Sequence, residues 1–404
     1  MTQQERSRSV LYIVYWGALE PLGQSLVVPA VRRLAEIGVE LTLITFEKPA
    51  DLLNTAAVSA LQAIFGAAGV RWRPLRYHKA PKWPATAYDA GCAVLAAIRL
   101  RVSERFDVVH ARTFVAGPMG FVIARLLRAQ FVYHNEGFYP DEQVDGGVWK
   151  EGSFVHRIAK RVEAFLYDHA DGIIALSQRA RAVLEARPHV RSANTPVIVV
   201  PSAVDLEAFR PAAVPRTRSG PLSLVYLGSV GLRYRLDDAG RFVAALRRIV
   251  PGATLTVVSR GERSLVESML DSSGLAREAW TLKELAHAAV PAELVLHDAG
   301  LLFWPQGLSE HGCSPTKIGE YWASGLPVVT TPNVSDTDSI VRKERVGVIV
   351  DPSRAGSFEE AACDLLSLLG DNDLRWRCRN AAENAYSLEG ACLHQVNLYT
   401  QLGL

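Results

Sequence analysis

The chain has 404 residues, 49% of them hydrophobic and 21% charged, a composition that suits soluble globular cores and a length that suits two domains. The formal charge of +2 gives no global field that calls for nucleic acid, and the longest apolar runs are too short to span a bilayer. Cys92, Cys313, Cys363, Cys378 and Cys392 form no CxxC pair and fit a reducing cytoplasm, and VLYIVY is too short for the core of a signal peptide.

In chain order, Val10–Tyr15 reads as a buried parallel strand, followed by a Gly/Pro loop and a helix over 25–37 that Gly38 stops. Further strands are expected at 39–46, 107–110, 130–134, 172–176 and 197–200. Helical patterns lie near 88–104, 117–128, 153–169 and 178–186. This alternation predicts a doubly wound α/β domain over 1–209. The proline-rich stretch 210–221 reads as a linker. A second alternation, with strands at 222–227, 254–258, 300–304, 327–331 and 346–350, predicts a second domain over 222–385.

In open α/β sheets, ligands bind at the carboxyl ends of the strands, so the loops there carry the candidate chemistry. Gly17 and Gly23 allow close backbone approach to a ligand after the first strand, with a plain turn equally open from spacing alone. His110 and Arg112 end another strand, and Arg112 suits a phosphate or carboxylate; the alternative is that His110 caps the strand and Arg112 pairs with a surface acid. His134 is followed by Glu136, Asp141, Glu142 and Asp145, which suit sugar hydroxyls or an acceptor; a solvated acidic loop is the alternative. The most informative stretch is SPTKIGEYWASGLPVVTT, Ser314 to Thr331. Ser314 reads as an N-cap and Pro315 as the first helical residue. Thr316, Lys317 and Ile318 complete the first turn, where a cation is out of place unless it faces an anion. Free N–H groups beside Lys317 make a phosphate site, and Glu320 lies on the same face. Spacing alone leaves an ordinary solvated Lys–Glu pair equally open.

The segment SPTKIGEYWASGLPVV resembles the donor-site signature of retaining GT-B glycosyltransferases, and the chain is similar to bacterial members of glycosyltransferase family 4. GALEPLGQSLVVPAVRRLAEIGVELTLITFEKP, HNEGFYPDEQVDGGVWKEG, VPSAVDLEAF and VYLGSVGLRY resemble other family segments, in the family's order. The resemblance implies an α/β, GT-B-like fold: two doubly wound Rossmann-like domains facing a central cleft, with residues 386–404 crossing back to the first. It implies a UDP- or GDP-sugar donor, a glycan or lipid-linked acceptor, retention of configuration and no metal. Lys317, His134 and Arg233 are then the expected catalytic groups. Gly17, Gly23, Gly228, Ser229, Ser314, Pro315, Thr316, Lys317, Ile318 and Glu320 would bind the donor, and Arg112, Glu136, Asp141 and Glu142 the acceptor. Two departures stand out. Ser229 occupies the position of a diphosphate-gripping Arg, for which Arg233 compensates. Gly312, next to Glu310 and His311, occupies the position of the family's earlier Glu. Asp336-Thr337-Asp338 reads as helix capping rather than a metal motif. A sugar-nucleotide epimerase or a non-catalytic glycan-binding protein on the same fold are the alternative functions.

The segment RWRPLRYHKAPKW, Arg71 to Trp83, reads as a basic aromatic loop, followed by Arg99, Arg101 and Arg105. It suits peripheral contact with anionic lipid at the inner face of the membrane, with an ordinary solvated loop as the alternative.

Overall fold

The computed structural model describes residues 8–212, 220–231 and 234–403. Most of the expected linker and Arg233 lie outside the described residues. The described chain divides into two compact units. The first comprises residues up to Pro140, Glu151–Pro201 and Leu388 onward; the second comprises Asp141–Lys150 and Ser202–Ser387.

The first unit is built on seven strands: β1 (Arg8–Val14), β2 (Val39–Glu47), β3 (Arg71–Arg76), β4 (Val108–Arg112), β5 (Gln130–His134), β6 (Gly172–Ala175) and β7 (Val197–Val199). Their order is β3-β2-β1-β4-β5-β6-β7, all parallel. The central strands are apolar runs buried on both faces, as a helix-covered parallel sheet requires. Gly120 lets its helix lie close to the sheet, because an added Cβ would strike Ala111. The helix Leu388–Gln401 packs in this unit beside Val28–Glu36, where Glu389 pairs with Arg33.

The second unit carries β8 (Ser223–Leu227), β9 (Thr254–Val258), β10 (Trp280–Lys283), β11 (Ala299–Leu302), β12 (Val328–Thr330) and β13 (Gly347–Ile349). These strands are parallel in the order β10-β9-β8-β11-β12-β13. Both sheets therefore reverse direction beside their first strand, between β1 and β4 and between β8 and β11. These reversals are the crevices where ligands of doubly wound sheets bind. The architecture is that of two Rossmann-like domains.

Two expectations change. Residues 71–76 are not a loop but the edge strand β3. Trp72 is buried in it and donates from Nε1 to Thr45 Oγ1 at 2.8 Å, while Arg73 and Arg76 are exposed and Arg71, also exposed, pairs with Glu104 at 3.1 Å. The alternation was hidden because its exposed positions are all arginines and Pro74 interrupts it; an edge strand tolerates both. The helix expected from residue 25 begins instead with a π-helical turn, Gly23–Val27, and continues as Val28–Glu36.

Candidate functional site

In the second unit, the helix Thr316–Ala323 is fixed at the sheet reversal by Tyr321. Its hydroxyl receives the Leu227 N–H at the end of β8 at 2.8 Å and donates to Leu301 O of β11 at 3.2 Å. Gly300 of β11 makes room for that ring, since a Cβ there would collide with it. The helix begins one residue later than expected, with Pro315 at the N-cap and no side chain capping the first turn. Ser314 does not cap. It is buried, and its Oγ accepts the Ser202 N–H at 3.0 Å, tying the strand-exit segment to the helix start. The uncapped turn leaves N–H groups and the positive end of the helix dipole for an anion. Lys317 lies in that turn, half-buried, with Nζ 3.1 and 3.3 Å from the two carboxylate oxygens of Glu320. Glu320 is 2% exposed and Ile318 is fully buried, so the pair is mounted on a rigid base. This is a charge pair that a ligand bearing both phosphate and hydroxyls can divide between its groups.

Other expected donor residues surround the same strand ends. Gly228 follows β8 with φ +148°, a conformation that favours glycine, and Ser229 is exposed with its carbonyl accepting the Tyr226 hydroxyl at 2.8 Å. Before the helix, Glu310 is buried with its carboxylate on the Ser309 hydroxyl, and its carbonyl accepts the Ser335 N–H at 2.9 Å. The acidic segment belongs here as well. Asp145 accepts the Ser309 N–H at 3.3 Å, and Cys313 Sγ donates to Glu142 Oε1 at 3.5 Å. Asp141–Lys150 groups with the second unit, so Glu142 braces the loop ahead of the Lys317 helix. Asp141 is half-buried in the same segment.

In the first unit, Gly17 and Gly23 are both required by a folded loop. A Cβ on Gly17 would meet Glu47 Oε2 at 2.5 Å, and one on Gly23 would strike the Gly17 carbonyl. Glu47, at the end of β2, is fully buried and holds the loop by accepting from Ala18 N at 2.7 Å, Leu19 N at 3.2 Å and Thr45 Oγ1 at 2.6 Å. Burial raises its pKa despite these donors. Arg112 and His134 stand opposite each other at the ends of β4 and β5. Arg112 is 4% exposed, with Nε on Glu136 at 2.5 Å and Nη1 on the Leu26 carbonyl at 3.3 Å. Its position thus ties the strand end to the π-helical turn.

His134 is 2% exposed, with Nδ1 3.1 Å from His110 Nε2, while His110 Nδ1 lies 2.6 Å from the Tyr399 hydroxyl. Tyr12 stacks on His110 with ring centroids 4.1 Å apart. Burial, then the charge of Arg112, lowers the pKa of both imidazoles. His134 Nε2 and Asn135 Nδ2 are buried atoms without a hydrogen-bond partner at the end of β5.

Sequence reading passed over Glu47, Asn135 and Tyr399. Glu47 was signalled only as an acid closing an otherwise apolar strand. Tyr399 had no local signal, being 289 residues from its partner. Among the described residues no group of three or more His, Cys, Asp or Glu is placed to hold a metal, and no helix is long and apolar enough to cross a membrane. Asp336 occupies the N-cap position of the helix Thr337–Glu344, but its side chain makes no capping bond.

Two family models match the chain: Glycosyltransferase Family 4 over residues 25–208, and Glycosyl transferases group 1 over residues 221–368. A curated relative, glycogen synthase of Mycobacterium tuberculosis, is 23% identical over 265 residues, which cover 65% of this chain and 61% of that protein. The match therefore spans less than two thirds of that relative's length. The UDP-Gal:alpha-D-GlcNAc-diphosphoundecaprenol alpha-1,3-galactosyltransferase of Escherichia coli is 22% identical over 314 residues, 73% of this chain and 76% of that one. Among solved structures, HepE of Anabaena in complex with UDP shares the fold with a TM-score of 0.68 at 13% identity, covering 97% of this chain and 100% of that one.

Proposed function

Since the chain belongs to the GT-B glycosyltransferases of the family 4 type, we propose that it transfers a glycosyl group from a UDP- or GDP-sugar to a glycan or lipid-linked acceptor, with retention of configuration and without a metal. The observation that carries this reading is the uncapped start of the Thr316–Ala323 helix with Lys317 held beside it by Glu320. Negative charge grows on the diphosphate as the glycosyl bond breaks. Preorganised N–H dipoles and a fixed cation stabilise that charge most where it develops, which is what accelerates the step. Glu320, with two carboxylate oxygens, accepts from hydroxyls of the nucleotide once Lys317 turns to phosphate. In the first unit, His134 and Asn135 carry unanswered polar atoms at the end of β5 that suit a substrate hydroxyl. The solved HepE complex with UDP supports a uridine donor in this fold.

The test is calorimetric titration with a panel of UDP- and GDP-sugars, repeated in excess EDTA, with the anomeric configuration of product read by NMR. Binding and turnover should persist in EDTA; loss of both overturns the metal-free reading. The donor incubated alone should hydrolyse slowly at most. Conversion into its epimer would replace transfer by epimerisation.

The E. coli relative's diphosphoundecaprenol acceptor supports a lipid-linked acceptor, and the first unit offers a surface suited to it. Trp83, Leu95, Ile98 and Val102 are exposed on or just beyond the Lys82–Arg101 helix, beside Arg99 and Arg101. Apolar side chains among cations suit an anionic bilayer surface. Co-sedimentation with anionic vesicles should occur at low salt and fade at high salt; no binding at low salt favours a water-soluble acceptor.

A further inference from the structure

The described residues place three polar side chains in a row through the interior of the first unit: Tyr399, His110 and His134. Their contacts are 2.6 Å from the Tyr399 hydroxyl to His110 Nδ1 and 3.1 Å from His110 Nε2 to His134 Nδ1. Tyr399 and His110 are fully buried, and the row ends at His134 Nε2, a buried atom with no partner. Tyr12 stacked on His110 fixes the plane of the middle ring. A core does not keep an open-ended polar row for packing alone, because each unanswered buried group costs free energy.

The row has two possible proton arrangements, since each neutral imidazole carries one N–H and one lone pair. In the first, Tyr399 donates to His110 Nδ1, His110 donates from Nε2 to His134 Nδ1, and His134 carries its proton on Nε2. In the second every bond is reversed, and His134 Nε2 is a bare lone pair. The Tyr399 hydroxyl decides between them. Among the described residues its hydrogen-bond contact is His110 Nδ1, so in the second arrangement its own proton is buried with no acceptor. An unanswered buried donor costs about 1–3 kcal/mol; in the first arrangement the one donor left over is His134 Nε2–H at the end of β5, where a water or ligand oxygen can answer it, rather than the enclosed Tyr399 hydroxyl. Burial and Arg112 hold both rings neutral, which keeps the row in this two-state form.

We propose that Tyr399 is a positioning residue that, through His110, holds His134 with its proton on Nε2, so that the end of β5 presents a fixed hydrogen-bond donor to an oxygen of the bound substrate. The substrate contact rests on the transfer reading above; the tautomer does not. The helix Leu388–Gln401 thereby contributes to the site through its far end without touching substrate.

The experiment is 15N NMR of the full chain labelled at histidine, with His110 and His134 assigned by the signals lost in His110→Gln and His134→Asn. In the wild type, His134 should show a protonated, pyrrole-like Nε2 and a pyridine-like Nδ1. Tyr399→Phe, which removes only the hydroxyl, should leave both rings as mixtures of tautomers and lower kcat/KM about tenfold, the equivalent of one lost hydrogen bond. A wild-type His134 protonated on Nδ1 overturns the proposal, as does a Tyr399→Phe protein with unchanged ring signals. If Tyr399→Phe does not fold, the wild-type spectrum still decides the tautomer. If no nucleotide sugar is turned over while the predicted tautomer is observed, the transfer reading has failed and the positioning has not.

Discussion

The ends of β4 and β5 in the first unit and the start of the Thr316–Ala323 helix in the second both gather charged and polar side chains, yet they are assembled on opposite principles. In the first, Arg112 and Glu136 answer each other in the interior, and the imidazoles answer a tyrosine. In the second, the helix turn is uncapped and its lysine remains about a quarter exposed. One arrangement fixes geometry before any ligand arrives. The other keeps charge in reserve for a ligand. Substitutions at the Arg112–Glu136 pair should therefore show up chiefly as lost stability, and those at Lys317 chiefly as lost activity.

The largest effect should come from Arg112→Met, which removes the guanidinium from both the Glu136 carboxylate and the Leu26 carbonyl. Breaking a buried pair from one side costs about 3–5 kcal/mol, read as a lower urea midpoint, and the double variant with Glu136→Gln should recover much of it. Unchanged stability in the single variant would erase the contrast. Lys317→Ala should lose about 3 kcal/mol of transition-state stabilisation, roughly a hundredfold in kcat, with a smaller fall in the urea midpoint than Arg112→Met, because Lys317 is about a quarter exposed and water screens the pair. Wild-type kinetics in that folded variant would remove the second site.

Acid provides a third handle. His110 and His134 have lowered pKa values in the native protein, from burial first and Arg112 second. Below their ordinary value near ~6.5 the unfolded chain binds protons that the native state does not. Their contribution is therefore intact above that pH and declines on acidification, until the lowered native pKa is reached. Each should add a slope of about 1.4 kcal/mol per pH unit to the unfolding free energy, and His134→Asn should remove one of the two. The smallest effect is expected from Glu320→Gln: donor affinity weaker by about 1 kcal/mol, the scale of one hydrogen bond, with little change in kcat. A larger fall in kcat than in affinity would make Glu320 a partner in the reaction step itself.

The fold was legible where burial is two-sided. QFVYH, Gln130 to His134, is a strand with the bounds its apolar run suggested. Legibility failed at the sheet edges: β3 is masked by arginines and Pro74, and the four-residue β10 by its polar Thr281 and Lys283. At the second unit's helix, the anomalous placement of Lys317 was readable from sequence, but the use of Ser314 was not, because its partner Ser202 lies 112 residues away. Glu142 was read as belonging with the strand it follows, whereas it packs on Cys313. Long-range hydrogen bonds leave no local trace in a sequence, and the networks at both sites consist of them.

The contribution of Leu388–Gln401 to the first unit also has a consequence in time. Residues 202–387, which make up nearly all of the second unit, leave the ribosome before that helix does. At roughly 5–20 residues per second the delay is on the order of ten to forty seconds. During it His110 is without Tyr399, and Val28–Glu36 is without the helix that covers it. Nascent chains stalled after Ser387 should be cleaved more readily by protease in the first unit than in the second; equal resistance would mean that the late helix is dispensable to the fold. The unit synthesised first is thus the one completed last.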